Sequence, residues 1–102
     1  MVTCNTANQY LVGNSAVISV NITVGNVLTD PTELQITIEN PDKTIITTYV
    51  YGVTTDIIKV STGIYKIIID LEEVGIWRYR WSSNSPNTGA VEGVIVVNPS
   101  IL

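Results

Sequence analysis

The chain has no histidine and no phenylalanine, a single cysteine, five basic and nine acidic residues, five leucines and three alanines. Without histidine the commonest general base is missing, and so is half of the usual zinc ligand set. No Ser or Cys is accompanied by a partner base at the spacing of a known nucleophile, so no enzyme is expected, and with it no catalytic residue, cofactor or metal. Cys4 has no partner for an internal disulfide and reads as a small neutral residue. The balance of charge, 5 − 9 = −4, surrounds the chain with a field of the wrong sign for phosphates, which argues against nucleic acid. Long apolar runs are also missing: "YKIIIDL" and "GVIVV" are far too short to cross a bilayer, so no membrane partner is expected. The opening "MVTCNTANQYLVGNS" carries no basic n-region, apolar stretch or cleavage site. If Met1 is the natural start, the protein is expected to be made and kept inside a cell, or packed into something assembled there.

What is present is β-forming. Valine and isoleucine number 29 and threonine 13, a balance that suits pleated, half-buried surfaces. One domain spanning 1–102 is expected, with residues 1–9 as an N-terminal arm. A chain of this size can bury roughly two-thirds of its unfolded surface without a covalent staple.

Residues 16–24 alternate, with Ile18, Val20, Ile22 and Val24 on one face. "GNVLTDPT" reads as a loop, and "ELQITIE" resumes the alternation with Leu34, Ile36 and Ile38. "NPDK" (40–43) has the chemistry of a type I turn and predicts a hairpin. Residues 44–51 are strand-like without a clear inner face, which predicts an edge or sheet-switching strand. "STG" places Gly63 where a positive φ is wanted. Tyr65, Ile67, Ile69 and Leu71 form the next inward set, "LEEVG" reads as a corner, and "AVEGVIVV" points Val91, Gly93, Ile95 and Val97 inward. Gly93 within a strand predicts a bulge or a close backbone approach. Some seven short strands with no helical period describe an antiparallel sandwich or a small barrel, the sandwich being preferred.

"GIWRYRW" (75–81) separates Trp77, Tyr79 and Trp81 from Arg78 and Arg80. Rings beside basic residues can stack on bases, but such a platform also needs a positive groove, which this chain lacks. A single large aromatic removes ~150–250 Å² from water on burial, so the rings are assigned to the core and the arginines to the outer face, where Glu92 can pair with them.

Six segments in order carry a resemblance: "YLVGNS" at 10–15, "TDPTEL" at 29–34, "NPDK" at 40–43, "STGIY" at 61–65, "GIWRYRW" at 75–81 and "AVEGVIV" at 90–96. They resemble the motifs of small immunoglobulin-like domains encoded among the structural genes of tailed bacteriophages, and they span nearly the whole chain. Asn14, often acidic in that pattern, and Lys43, often glycine, depart from it. The resemblance implies an immunoglobulin-like antiparallel β-sandwich of about seven strands. It further implies that Trp77 packs across the "LEEVGIW" corner with its indole N–H given to a backbone carbonyl.

By function the resemblance implies a non-enzymatic virion structural protein, made in the bacterial host cytoplasm and acting as a capsid decoration or head-fibre component. A neck or tail component, or a host-surface glycan-binding module, is the alternative. Expected partners are other virion structural proteins or further copies of the chain. Ile68, Val94 and Val96 point away from the core and are candidates for that interface. Tyr49 and Tyr51 are the rings expected to be exposed for a glycan. Asp70, Glu72 and Glu73, like Asp30 with Glu33 and like Asp42, are expected to be solvated turn residues rather than calcium ligands.

Overall fold

The computed structural model describes residues 9–84 and 88–99, with the backbone alone at 2–4. Ten strands follow in chain order: β1 (Val2–Cys4), β2 (Gln9–Leu11), β3 (Ser15–Val24), β4 (Val27–Leu28), β5 (Glu33–Glu39), β6 (Ile46–Val50), β7 (Ile57–Ser61), β8 (Ile64–Asp70), β9 (Gly75–Asn84) and β10 (Gly89–Asn98). Seven of them have five residues or more and match the seven expected; the other three, β1, β2 and β4, were not anticipated.

The first sheet runs β1-β3-β8-β7, with β4 paired to the end of β3, and the second runs β2-β10-β9-β5-β6. Two sheets in this order, with the chain crossing between them after β1, β2, β4, β6 and β8, have the immunoglobulin-like arrangement. The side chains facing inward from both sheets make one core: Ala16, Ile18, Val20, Ile22, Tyr65 and Ile67 on one side, Leu34, Ile36, Tyr79, Trp81, Ile95 and Val97 on the other. Period two along β3, β5, β8, β9 and β10 produces this, since alternate residues of a pleated strand point to opposite faces.

Two expectations are revised. The N-terminal segment is no free arm: β1 pairs antiparallel with β3, and β2 pairs parallel with β10, Val97 opposite Tyr10. The segment thus contributes to both sheets, and one pairing of the sandwich is parallel. The side chain of Cys4 lies outside the described residues. The second revision concerns "GNVL", which is no open loop. Val24 pairs with Val27, and Gly25 and Asn26 both have positive φ, the geometry of a two-residue type I′ hairpin.

The aromatic stripe of β9 behaves as expected. Trp81 is wholly buried, Tyr79 is buried and Trp77 packs half-buried against the core, while Arg78 and Arg80 are exposed. Arg78 approaches Glu39 at 3.4 Å and Arg80 approaches Glu92 at 3.6 Å, exposed pairs that contribute at most a few tenths of a kcal/mol each, on the order of 0.5. Gly93 is directly opposite Tyr79 in a regular register, so it marks a close approach and not a bulge. A Cβ on Gly93 would overlap the hydroxyl and ring of Tyr79. The missing side chain of β10 is the space into which the phenol of β9 lies.

"LEEVG" forms the corner before β9. Leu71 is fully buried, its N–H donates to the Asn14 carbonyl at 2.9 Å, and its own carbonyl accepts from the Gly13 N–H at 2.8 Å. The Trp77 indole N–H donates to the Glu73 carbonyl at 3.1 Å, closing the corner on itself. In "NPDK" the Lys43 N–H donates to the Asn40 carbonyl at 3.0 Å, and Lys43 has φ +59°. That left-handed conformation is one that glycine adopts more readily than lysine.

Gly93→Ala is expected to lower the unfolding free energy by about 1–3 kcal/mol through overpacking. Combined with Tyr79→Leu, the two losses should sum to less than their separate values, because the collision needs both groups. Urea titrations of the four proteins measure this. Lys43→Gly is expected to raise stability by up to about 1 kcal/mol by relieving the left-handed conformation, visible as a higher urea midpoint with unchanged slope.

Candidate functional site

The residues singled out from sequence as a partner interface do not form one surface. Val94 is exposed and Val96 half-buried on the outer face of the second sheet, whereas Ile68 is exposed on the outer face of the first, across the sandwich. Each has apolar company. Val96 stands opposite Ile76, and Val94 is the next outward residue along β10. Leu11, on β2 opposite Asn98, extends this outward set to the sheet edge. On the other face Ile68 pairs with Val17, both exposed. Ile76 was legible in principle, since it shares the parity of Arg78 and Arg80 in the β9 alternation. Leu11 was not, because its place depends on a parallel pairing between the two ends of the chain.

Tyr49 and Tyr51 also part company. Tyr51 is exposed, with its ring edge-on to Tyr65 at 5.0 Å between centroids. Tyr49 is half-buried at the margin of the core and lines a cleft of about 400 Å³ together with Trp77, Ile69, Asn40 and Glu73. The cleft arises from unequal strand lengths. Pairing of β7 begins at Ile57 opposite Ile67, but β8 continues to Asp70, so the first sheet is open along Ile68–Asp70 on the β7 side. β6 is the edge strand of the second sheet, as expected, and β5 is its partner.

One wall of the cleft is fixed by polar contacts. Asn40, 4% exposed, accepts the N–H groups of Thr44 and Ile45 at 3.0 Å each through Oδ1. Its Nδ2 donates to Glu73 Oε1 at 3.3 Å, and the Glu73 carbonyl holds the Trp77 indole. The β5–β6 loop is thereby tied to the corner before β9. Read from sequence, Asn40 is the first residue of a turn; that it also bridges two loops needed the fold.

Asp30 departs from the solvated turn residue expected of it. It is no idle turn carboxylate: Oδ2 accepts from Lys59 Nζ at 2.7 Å, and Oδ1 accepts from the Gly63 N–H at 2.8 Å and the Tyr65 hydroxyl at 3.0 Å. Gly63, at φ +73°, sits where a Cβ would press on the Ile22 carbonyl and the Thr29 N–H. The loop before β5 is therefore bound to the β7–β8 hairpin. The Lys59 and Gly63 hydrogen bonds hold the Asp30 carboxyl down at about 2, below its ordinary 3.8. Lys59 is raised correspondingly by Asp30, and Tyr65 is raised by burial and by the same carboxylate.

Among the described residues no group of three or more His, Cys, Asp or Glu is placed to hold a metal ion, and no helix is long and apolar enough to cross a membrane. By architecture the chain is an immunoglobulin-like β-sandwich. No known protein family matches it, and no curated protein sequence does.

The sign of the Asp30 shift fixes a pH dependence. A carboxyl whose folded value is depressed stabilises the fold above its unfolded value and loses that contribution as pH falls. Asp30→Asn should be less stable than the parent at neutral pH, and the gap should close as pH falls from about 4 to about 2. Paired urea titrations across that window check it; a gap independent of pH would mean that the carboxylate charge contributes nothing.

Proposed function

We propose that the chain is a non-enzymatic structural module of a tailed-phage particle, of the capsid-decoration or head-fibre type, that docks through the outer face of its second sheet. The observation that carries this reading is the adjacent set Ile76, Val94, Val96 and Leu11 on β9, β10 and β2, apolar where a solitary domain usually presents polar side chains. The motif resemblance supports it further, because its members are physically linked. The glycine of "AVEGVIV" receives the tyrosine of "GIWRYRW", and the departure at Lys43 falls at a position whose φ suits the pattern's glycine. Residues far apart in sequence thus serve one sandwich in the way such a pattern requires.

Each exposed aliphatic side chain covered on docking contributes roughly 1.5 kcal/mol or more. Ile76→Lys with Val94→Lys should therefore weaken attachment to purified particles by about 100-fold. Stability should change by no more than about 0.5 kcal/mol per site, because both residues are at the surface. Val17→Lys, on the opposite face, should leave attachment unchanged. Co-sedimentation with particles lacking the protein measures all three. Full attachment by the double variant would overturn the docking face, and imaging that finds the domain outside the particle would overturn the assignment itself.

A further inference from the structure

We propose that the cleft between the β5–β6 hairpin and the β8–β9 corner is a binding site for an organic cation, an ammonium or guanidinium group on an aliphatic stem. This goes beyond the docking face, which lies on the outside of the second sheet and shares no residue with the cleft. The starting observation is the cavity itself: about 400 Å³, walled by two half-buried aromatic rings, Trp77 of β9 and Tyr49 of β6. Trp77 is held in place by its hydrogen bond to the Glu73 carbonyl, and Glu73 by Asn40, so this wall is already set before any ligand arrives. A ring held in this way can engage a cation at little cost in ordering.

Charge selects the ligand class. Four of the nine acidic residues of the chain, Asp56, Asp70, Glu72 and Glu73, line the cleft, and none of its five basic residues does. An anion would be repelled. A neutral ligand could use the rings but would leave the carboxylates without a counter-charge. A bare metal ion fits poorly too, since no three of the described acidic groups converge on one point. Carboxylates spread along a ring-lined slot of mixed polarity match a cation with an aliphatic stem: the stem meets Ile69 and the rings, and the charged head meets the acids. Two sources supply that chemistry, a free polyamine or a Lys or Arg side chain of a partner protein.

The test uses the full chain, isotope-labelled, and follows the two indole N–H resonances. The ligands are spermidine, capped Gly-Lys-Gly and Gly-Arg-Gly peptides, and glucose as the neutral comparison. A saturable shift of the Trp77 resonance with a cation is expected, with that of Trp81, buried in the core, unmoved. Affinity should fall about tenfold as salt is raised to about 0.5 M, where charges are screened within a few ångströms. Asp56→Asn with Glu72→Gln, both at exposed positions, should weaken binding about tenfold while the remaining spectrum shows an intact fold. Tyr49→Leu, which keeps an apolar side chain, should weaken it as well. A response to spermidine alone assigns a free polyamine, and a response to the peptides alone assigns a partner's basic side chain. No saturable Trp77 shift with any cation, an equal response to glucose, or full affinity in the folded double carboxylate variant would overturn the proposal.

Discussion

Strand β9 is laddered to β5 along one side and to β10 along the other, so its register is fixed twice over. A slip of one residue against either neighbour would turn Trp81 and Tyr79 out to water and bring Arg78 and Arg80 into the core. Burying one large ring is worth a few kcal/mol, roughly 4 at the usual coefficient, a large share of a small domain's net stability. Trp81 serves as apolar bulk, since its indole nitrogen is buried without a hydrogen-bond partner among the described residues. Trp77 has the other role, with its nitrogen satisfied and its ring half-buried at the end of the sandwich.

Two polar ties fasten loops to that frame. Asp30 joins the loop before β5 to the β7–β8 hairpin, and Asn40 joins the β5–β6 loop to the corner before β9. Each fastens a loop that lies outside the strand ladders. Together with the N-terminal segment, which pairs with β3 and then with β10, they connect the layers at several places. A chain without disulfides gains its inter-sheet fastening from side-chain hydrogen bonds and from the shared core.

The surfaces left over are of two kinds. The outer face of the second sheet has aliphatic residues beside the exposed Arg78–Glu39 and Arg80–Glu92 pairs. The cleft at the open side of the first sheet is lined by rings and acids. Both follow from strand geometry: the first from the parity of residues on β9 and β10, the second from β8 outrunning β7.

Much of the fold was legible because period-two alternation is a local property. The inward residues of β5, β8, β9 and β10, those of β3 apart from Val24, which the end of the strand leaves exposed, the edge position of β6, the corner before β9 and the positive φ of Gly63 all follow from neighbours within a few positions. The type I′ hairpin at Gly25 and Asn26 was equally local, and was hidden only by its shortness. The candidate site was less legible. That Ile68 and Val94 share an outward parity says nothing about whether they share a sheet, and that Tyr49 and Trp77 line one cleft depends on which strands become neighbours.

Sequence by itself therefore determined the strands, their buried faces and the charge of the surface, because these depend on spacing and composition. Tertiary structure alone decided which faces lie together. The parallel β2–β10 pair, the Asp30 contacts 29 to 35 residues away and the meeting of Tyr79 with Gly93 arise only when distant segments are brought into register.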